Sequence, residues 1–470
     1  NSMMNMLHCI EILLHLALCV ICQGTPVVGV AASTSTSTST SASSVLVRTC
    51  DETSVAAALP FCNTSATFEE RTADLIGRLT LQEKIDLVYN ADTGYLPRLN
   101  LKSFKFFQTC VHGWWTTNAT TFGMPIGFAA SFDVDLIKSI AEVIGVEGRA
   151  MSQRDYITSF DKASGAHGVN YDWLVCKDSS EVNMARHPLW GRIPETYGED
   201  PFLTSVVGEV FTAQLQRSNL SDSKYLRIAA VARHLAVYSG PESLKDDGTQ
   251  GANRFAFNAN LSARDLEAYF YPPFEAALAN DRAASAGVMC SDAAQNGVPS
   301  CASHLLMTDK LKQWNSSAFV VSDMGSYYNV YRAHHYAANT SDAMYTDFAA
   351  GLDLLYVRSS AMDQVNETMS ALQAAVNGSV SDKRFTLADL DAKASKMILL
   401  RMQLGEFDPV EGNPFASPVD PSVVDSPQHR AVARQAASSA VVLLKNDNNL
   451  LPLTAGKDKL ALIGPYMRPT

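Results

Sequence analysis

Three short apolar segments of the sequence each end in a side chain that can do chemistry. In chain order these terminal residues are Arg233 with His234, Asp292, and Asp323. A carboxylate beside cationic or imidazole groups is the combination that nucleophilic and general acid–base catalysis use. If the three segments are neighbouring strands, their ends meet and form one site.

Each of these side chains also has a purely structural interpretation. An Asp that follows a strand commonly caps the next helix, and an Arg–His pair can form ion pairs at the surface. The same behaviour at three strand ends favours a shared functional site.

The elements that would position these residues alternate along the chain from about residue 65. Amphipathic periodicity predicts helices over 68–90, 133–153 and 262–280, and apolar β-branched runs predict strands over 227–234, 285–292, 318–323 and 351–357. Repeated strand–helix alternation predicts an α/β fold with a parallel sheet, most economically a (β/α)8 TIM-like barrel, whose active face lies at the carboxyl ends of the strands. A doubly wound open sheet is the alternative, because periodicity does not separate the two.

Composition excludes some partners. The chain has 470 residues, a net charge of −11 and a pI near 5.4, and it contains no basic cluster, so nucleic acid is not an expected partner. Beyond residue 32, no Cys-x-x-Cys or His-x-x-x-His spacing indicates a metal site, and neither a metal nor a cofactor is expected.

The start of the sequence has the pattern of a secretory signal. Residues 12–22 are apolar apart from His15, and small residues follow, with Val30 and Ala32 suiting a signal peptidase. This run is too short to cross a bilayer. We therefore predict a signal peptide over 1–32, a Ser/Thr-rich low-complexity segment over 33–48, and a secreted extracellular protein with no membrane segment in its mature form.

Two further patterns agree with a secretory route. Eight N-x-Ser/Thr sequons predict N-glycosylation, at Asn63, Asn118, Asn219, Asn260, Asn315, Asn339, Asn366 and Asn377. Six cysteines lie beyond residue 32, an even number that suits disulfides. The pairs Cys50/Cys62 and Cys290/Cys301 would close the shortest loops.

A proline-rich segment near the end predicts a domain boundary. Five prolines fall between residues 408 and 428, which is typical of an interdomain linker. We expect a catalytic domain over 49–407, a linker over 408–428 and an incomplete second domain over 429–470, since one new strand cannot close a core.

An ordered series of motifs resembles glycoside hydrolase family three, in particular its xylosidase-like branch of β-glucosidases and β-xylosidases. The motifs run from about residue 60 to the end and include "VHG", "HPLWGRIPETYGEDPFL", "ARHLAVY", "MCSDAAQNGVPSCAS", "FVVSDMGS", "AAGLDLLY" and "SSAVVLLKNDNNLLPL". The resemblance implies a (β/α)8-like domain followed by an α/β sandwich domain. It implies a secreted enzyme that hydrolyses terminal non-reducing β-D-xylosyl or β-D-glucosyl residues with retention, in plant cell-wall polysaccharide breakdown.

The resemblance also implies roles for individual residues. Asp323 occupies the place of the nucleophile, whose carboxylate stabilises an oxocarbenium-like state and forms a glycosyl ester. Arg192 and His234 match positions that hydrogen-bond sugar hydroxyls, although an ion pair with Glu195 or Glu199 is a structural alternative for Arg192. Trp114 and Trp115 offer either a stacking platform for a sugar or core packing.

The sequence departs from the family pattern around the expected sugar subsite. Thr109 stands where an acidic residue or an amide is usual, Arg233 replaces Lys, Asp292 replaces Tyr, Met324 replaces Trp or Cys, and His187 replaces Asp. We retain Thr109, Arg233, Asp292 and Met324 as candidate substrate-binding residues.

Two expectations follow for Asp292. A second carboxylate near Asp323 should raise the pKa of one of the two, and Arg233 is expected to pair with Asp292 and offset its charge.

The resemblance implies that the catalytic acid/base is a carboxylic acid from a loop of the second domain. No residue of this chain is assigned that role. A catalytically impaired homologue that only binds carbohydrate is therefore the alternative function, and a purely structural or interaction protein is the weakest one.

Overall fold

The computed structural model describes part of the chain, from residue 48 onward. The described residues are 48–89, 96–101, 104, 106–116, 118–158, 174–217, 224–241, 254–357, 367, 370–374, 384–409, 413–415, 419–454, 456, 461 and 463. The predicted signal peptide and all but the last residue of the Ser/Thr-rich segment lie outside them.

The described strands form two sheets. They are β1 (Phe107–Gln108), β2 (Val175–Glu181), β3 (Ala229–Leu235), β4 (Asn258–Ala259), β5 (Gly287–Cys290), β6 (Ala294–Gln295), β7 (Val298–Pro299) and β8 (Phe319–Ser322). The central sheet is parallel with the spatial order β1-β2-β3-β5-β8, and β4, β6 and β7 form a small second sheet.

The strand order separates the two predicted folds. In the central sheet each strand lies beside the next one along the chain, with no reversal of order, whereas a doubly wound sheet reverses at a switch point. Parallel bridges continue the sheet from Val321 to Leu354 and from Leu355 to Tyr89. The fold is the TIM-like barrel that the sequence predicts.

The described α-helices surround this sheet. They are α1 (Phe68–Arg78), α2 (Leu81–Val88), α3 (Pro125–Ala130), α4 (Val134–Thr158), α5 (Pro201–Arg217), α6 (Ala263–Asp265), α7 (Pro272–Leu278), α8 (Leu311–Trp314), α9 (Ser326–Arg332), α10 (Thr340–Ala350), α11 (Leu387–Gln403) and α12 (Pro427–Ser439). Helix α5 packs on α4 and α7, and α11 packs on α1 and α2. All seven residues of β3 are buried at the centre.

Two of the predicted helices are not continuous in the structure. The helix over 68–90 is interrupted because Thr80 caps α2, its side chain accepting from the Glu83 amide while Glu83 bonds back to the Thr80 amide. The helix over 262–280 is divided by a π-helical turn, Leu266–Phe270, and by Pro272, which has no amide N–H to donate.

The strands predicted over 227–234, 285–292 and 318–323 correspond to β3, β5 and β8. Six described cysteines form three disulfides, Cys50–Cys62, Cys110–Cys176 and Cys290–Cys301, so both short-loop pairings are confirmed. No described helix has the length and apolar character needed to cross a membrane.

The sequons differ in accessibility. Asn63, Asn118, Asn260 and Asn339 are exposed, whereas Asn315 is buried and its amide donates to the Ser285 carbonyl at 3.2 Å. Glycosylation at Asn315 is thus incompatible with the folded chain, which corrects the prediction at that position. Asn219, Asn366 and Asn377 lie outside the described residues.

The segment predicted as a linker contacts the barrel closely where it is described. Asp408 is buried in an ion pair with Arg71, and the carbonyl of Phe415 accepts two bonds from Arg149, at 2.7 and 3.2 Å. Helix α12 packs on α4. The start of a second domain at residue 429 stays a prediction.

Candidate active site

The carboxyl ends of β2, β3, β5 and β8 meet at one edge of the barrel, where they border a cavity of about 1000 Å³. All of the predicted substrate-binding residues except His234 line this cavity together with Asp323, namely Thr109, Arg192, Arg233, Asp292 and Met324. His234 is fully buried behind the cavity wall and contacts Asp323. The structure therefore brings the predicted site residues together.

Asp323 follows the last residue of β8, and its amide donates to the carbonyl of Cys290 on the neighbouring β5. Its carboxylate accepts from the Met324 amide at 2.6 Å. The Oδ2 atom lies 3.4 Å from His234 Nε2 and 3.9 Å from Arg192 Nη1. The side chain is 21% exposed, so a ligand in the cavity can reach it.

The alternative role of Asp323 as a helix cap does not match the contacts. The residue before α9 is Gly325, and no side chain caps this helix. A φ of +89° at Gly325 is a conformation that favours glycine, and it turns the chain from the strand into the helix. The carboxylate of Asp323 is thereby left directed at His234 and Arg192.

The surroundings keep Asp323 ionised. Burial raises the pKa of this carboxyl, but the hydrogen bond from His234 and the charges of His234 and Arg192 outweigh burial. The net result is a pKa well below the usual range of an aspartic acid. At neutral pH the group is a fixed, negatively charged carboxylate.

Glu195 ties the two site arginines together. It accepts two parallel bonds from Arg192, at 2.8 and 2.9 Å, and one from Arg233 at 2.6 Å. Burial raises the pKa of Glu195, but the two guanidinium groups outweigh it and lower that pKa to about 2. Arg192 therefore forms the ion pair with Glu195 that was its structural alternative. The Nη1 atom of the same guanidinium still faces Asp323.

Asp292 has neutral partners, which corrects the predicted pairing with Arg233. Its carboxylate accepts from the Ser326 hydroxyl at 2.7 Å, the Asn329 amide at 2.8 Å and the Tyr238 hydroxyl at 3.5 Å. Arg233 is instead bonded to Glu195. Arg233 lies between Glu181 of β2 and Met289 of β5, and its guanidinium reaches Glu195, whereas Asp292 lies beyond the end of β5, where Ser326 and Asn329 contact it.

The second expectation for Asp292 is confirmed. Burial raises the pKa of Asp292 to about 6, and the charge of Asp323 adds to the increase. Hydrogen bonds from Ser326 and Asn329 act in the opposite direction. The two carboxyls thus titrate far apart, and Asp323 loses its proton well before Asp292 as pH rises.

The raised pKa predicts a pH dependence of stability. An unfolded Asp titrates near 3.8, so between about pH 4 and pH 6 the folded chain holds a proton that the unfolded chain has lost. The free energy of unfolding therefore falls as pH rises through this window, by about 3 kcal/mol in full. Asp292→Asn should abolish that decrease in denaturant titrations at pH 4 and pH 7, and Asp309→Asn, at an exposed position, should retain it. Parallel wild-type and Asp292→Asn profiles would contradict the assignment.

The remaining predicted residues separate into cavity and non-cavity positions. Trp114 and Trp115 both line the cavity, Trp114 as a buried core residue and Trp115 with 73% of its surface exposed, and so do Thr109 and the 42% exposed Met324. His187 lies outside the site and lines a second cavity of about 480 Å³.

Sequence reasoning missed two acidic residues of β2. Glu181, fully buried, lies 2.7 Å from His234 Nδ1 through its Oε2 atom. Asp178 lines the cavity and accepts from the Cys110 amide at 2.8 Å. The polar composition of "VCKDSSE" concealed this strand from an apolar pattern, although a barrel interior near the active face accepts polar side chains.

Asp178 also lies beside two sulfur atoms, in a group that resembles a set of metal ligands. Cys110, Cys176 and Asp178 have potential ligand atoms within 4.8 Å of one another. The two cysteines form a disulfide, so they offer no thiolate to a metal. The donor set does not fit a metal ion.

Comparisons with known proteins show which family domain the chain contains. Residues 166–398 match the glycosyl hydrolase family 3 N terminal domain. The chain is 32% identical over 428 residues to beta-xylosidase/alpha-L-arabinofuranosidase 1 of Medicago sativa subsp. varia, covering 87% of this chain and 50% of that protein. It is 33% identical over 430 residues to beta-D-xylosidase 3 of Arabidopsis thaliana, covering 88% of this chain and 50% of that protein.

A solved structure is similar as well. The GH3 exo-beta-xylosidase in complex with a xylobiose aziridine activity-based probe superposes with a TM-score of 0.70 at 29% identity, covering 86% of this chain and 48% of that one. The fold and the site define a barrel of the glycoside-hydrolase class. Residues 166–398 form a glycosyl hydrolase family 3 N terminal domain, and the chain spans about half the length of the curated relatives it matches.

Proposed function

We propose that this chain carries the nucleophile and the sugar-binding part of the site in a retaining β-glycosidase. The observation that carries the proposal is Asp323, an ionised carboxylate at the edge of a large cavity, held between His234 and Arg192. The expected substrates end in a non-reducing β-D-xylosyl or β-D-glucosyl residue. The names of the plant relatives, beta-xylosidases, support the first of these sugars.

The reaction takes two displacements at the anomeric carbon. In the first, a carboxylate oxygen of Asp323 bonds to that carbon while the glycosidic C–O bond breaks, and the leaving oxygen takes a proton. In the second, water attacks the same carbon, the ester bond breaks, and the proton of the water goes to a base. We assign no residue of this chain to the proton transfers, so activated leaving groups are the appropriate substrates.

Arg192 and Arg233, which line the cavity, would bind the sugar's hydroxyl groups, whereas His234 has no exposed surface and would act through its contact with Asp323. Guanidinium N–H groups suit vicinal hydroxyls, and bonds of this kind accelerate the reaction when they strengthen in the transition state. Their placement around Asp323 supports this role. Glu195 keeps both guanidinium planes fixed, so the sugar meets donors that are already oriented.

Secretion and glycosylation belong to the same proposal. Three disulfides support an oxidising compartment, and four exposed sequons are accessible to glycosylation. We propose a secreted extracellular glycoprotein that acts in the breakdown of plant cell-wall polysaccharides.

The test uses 2,4-dinitrophenyl β-D-xyloside and β-D-glucoside, whose leaving group departs without protonation. Proton NMR of the first sugar released should show the β-anomer, since two displacements retain configuration. An α-anomer appearing first would contradict the proposed mechanism, and the faster substrate would identify the preferred sugar.

A second candidate is a homologue that binds carbohydrate without hydrolysing it. The observation in its favour is the remodelled site beside Asp323, where Arg233 is bonded to Glu195 and the buried Asp292 has a raised pKa. Binding of xylose or glucose by a folded chain that releases no dinitrophenol would support this alternative.

Trp115 is expected to contribute to binding. An exposed indole at a cavity rim can stack on a sugar or on an aromatic aglycone, and such contacts are worth about 0.5–1.5 kcal/mol. Trp115→Ala should therefore raise KM for the dinitrophenyl glycosides by roughly 2- to 10-fold with little change in kcat. Phe202→Ala removes an aromatic ring that is 77% exposed and does not line the cavity, and it should leave KM unchanged. Equal effects of the two substitutions on KM would show that Trp115 does not contribute to substrate binding.

A further inference from the structure

Glu181 has no assigned role in the proposed reaction, and its surroundings give it one. It is the last residue of β2, and its side chain has no exposed surface. Its Oε2 atom lies 2.7 Å from His234 Nδ1, 3.9 Å from Arg233 Nε and 4.0 Å from Arg192 Nη2. A buried carboxylate is stabilised only by such partners, so this one sits where three site side chains converge.

His234 is held by the same end of β2 through its backbone. Its amide donates to Asn183 Oδ1 at 2.8 Å, and its carbonyl accepts from Asn183 Nδ2 at 2.9 Å. The ring then has two nitrogens with different partners, Glu181 at Nδ1 and Asp323 at Nε2, the second at 3.4 Å. The imidazole is therefore placed between two carboxylates that lie on different strands.

The chemistry of these groups defines what Glu181 does. Glu181 Oε2 and His234 Nδ1 lie 2.7 Å apart, and neither atom has another hydrogen-bond partner among the described residues, so their proximity favours an Nδ1–H group that faces this carboxylate. The Glu181 oxygen lies off the line of the Nδ1–H bond in the free chain, and hydrogen bonds at active sites commonly tighten in the substrate complex. With Nδ1 occupied, the Nε2 edge is the part of the ring presented to Asp323 and to Arg192 Nη1, which lies 3.1 Å from it.

We infer that Glu181 is a positioning residue, which fixes the ring orientation and the Nδ1 proton of His234 and so aligns the Nε2 edge with Asp323. This inference rests on the proposed function, in which Asp323 is the nucleophile. It adds a carboxylate–imidazole–carboxylate arrangement that runs from the β2 end to the β8 end beneath the cavity.

The test combines a covalent label with a spectroscopic signature. Glu181→Gln keeps the shape of the side chain and removes its charge. It should lower the rate constant for labelling by a dinitrophenyl 2-fluoro-glycoside by roughly 10- to 100-fold, as loss of an orienting partner does elsewhere, and leave the half-saturating concentration within about threefold. Glu209→Gln, on the surface beside Arg282, should match the wild type in both quantities.

Proton NMR of the ¹⁵N-histidine-labelled chain supplies the readout that a structural role would not change. The Nδ1–H resonance of His234, identified by its loss in His234→Gln, should lie far downfield and move upfield in Glu181→Gln but not in Glu209→Gln. An unmoved resonance, or a moved resonance with unchanged labelling, would overturn the inference. If Glu181→Gln does not fold, Glu181→Asp is measured in the same way, and it should show intermediate values. A wild-type chain that takes no label would refute the proposed function instead, while the resonance would still report whether Glu181 holds the ring.

Discussion

Asp323→Asn is expected to lower the turnover of dinitrophenyl glycosides by on the order of 10⁴- to 10⁶-fold, the loss seen when a nucleophile is removed from a catalytic set. The amide keeps the shape of the side chain and can still accept from the Met324 amide, so the fold should persist. It cannot form the glycosyl ester at a useful rate, because it lacks the negative charge that stabilises the oxocarbenium-like state. Release of dinitrophenol, followed by absorbance, gives the rate.

The matched control is Asp309→Asn, which removes an exposed carboxylate from a pair with His304 and should retain full activity. Near-ultraviolet circular dichroism confirms that both variants are folded. Activity of Asp323→Asn within about tenfold of the wild type would contradict its role, because the measured rate would then not depend on the Asp323 carboxylate.

The second large effect is on stability, at Asp408. Its carboxylate is 3% exposed and is bonded to Arg71, whose side chain has no exposed surface. It also accepts from the Tyr225 hydroxyl at 2.5 Å. Asp408→Asn leaves the guanidinium buried without a counter-charge, which should lower the free energy of unfolding by on the order of 3–5 kcal/mol.

Denaturant titration at neutral pH measures this effect. Asp135→Asn breaks an exposed pair with Lys138 and should change the free energy of unfolding by less than about 1 kcal/mol. A loss of that small size at Asp408 would mean that residues 408–409 detach from the barrel in solution and that the segment behaves as the free linker that its prolines predict.

Much of the fold was predictable because the buried strands consist mainly of apolar residues. The segments at 227–234, 285–292 and 318–323 are apolar and β-branched, and a parallel sheet buried on both faces requires such residues. The helix break at Thr80 was also visible in principle, because Thr80 and Glu83 have the spacing of a capping box. A continuous amphipathic pattern across 68–90 concealed it.

The site was predictable at its strand ends and not between them. Asp323, Asp292, Arg233 and His234 follow apolar runs, and their convergence depends only on the strands being parallel neighbours. The partners of each side chain depend on register and rotamer. For that reason the pairing of Arg233 with Asp292 was wrong, and Glu181, which lies in the polar strand 175–181, was missed.

Arg233 and Asp292, two of the departures from the family pattern, contact different neighbours. Arg233 and Asp292 do not neutralise each other. Arg233 is neutralised by Glu195, and Asp292 is kept partly protonated near neutral pH by burial and by Asp323. The cavity lining therefore contains Asp323 and Glu195, two carboxylates that stay charged, and Asp292, a carboxyl that can donate a hydrogen bond below about pH 6.

The most direct test of the central claim is peptide mass spectrometry after incubation with dinitrophenyl 2-fluoro-glycosides of xylose and of glucose. The fluorine slows hydrolysis of the glycosyl ester, and the activated leaving group needs no acid catalyst. We expect a single sugar adduct on the peptide that contains Asp323, formed faster with one of the two sugars. No adduct on a demonstrably folded chain, or an adduct on a different carboxylate, would contradict it.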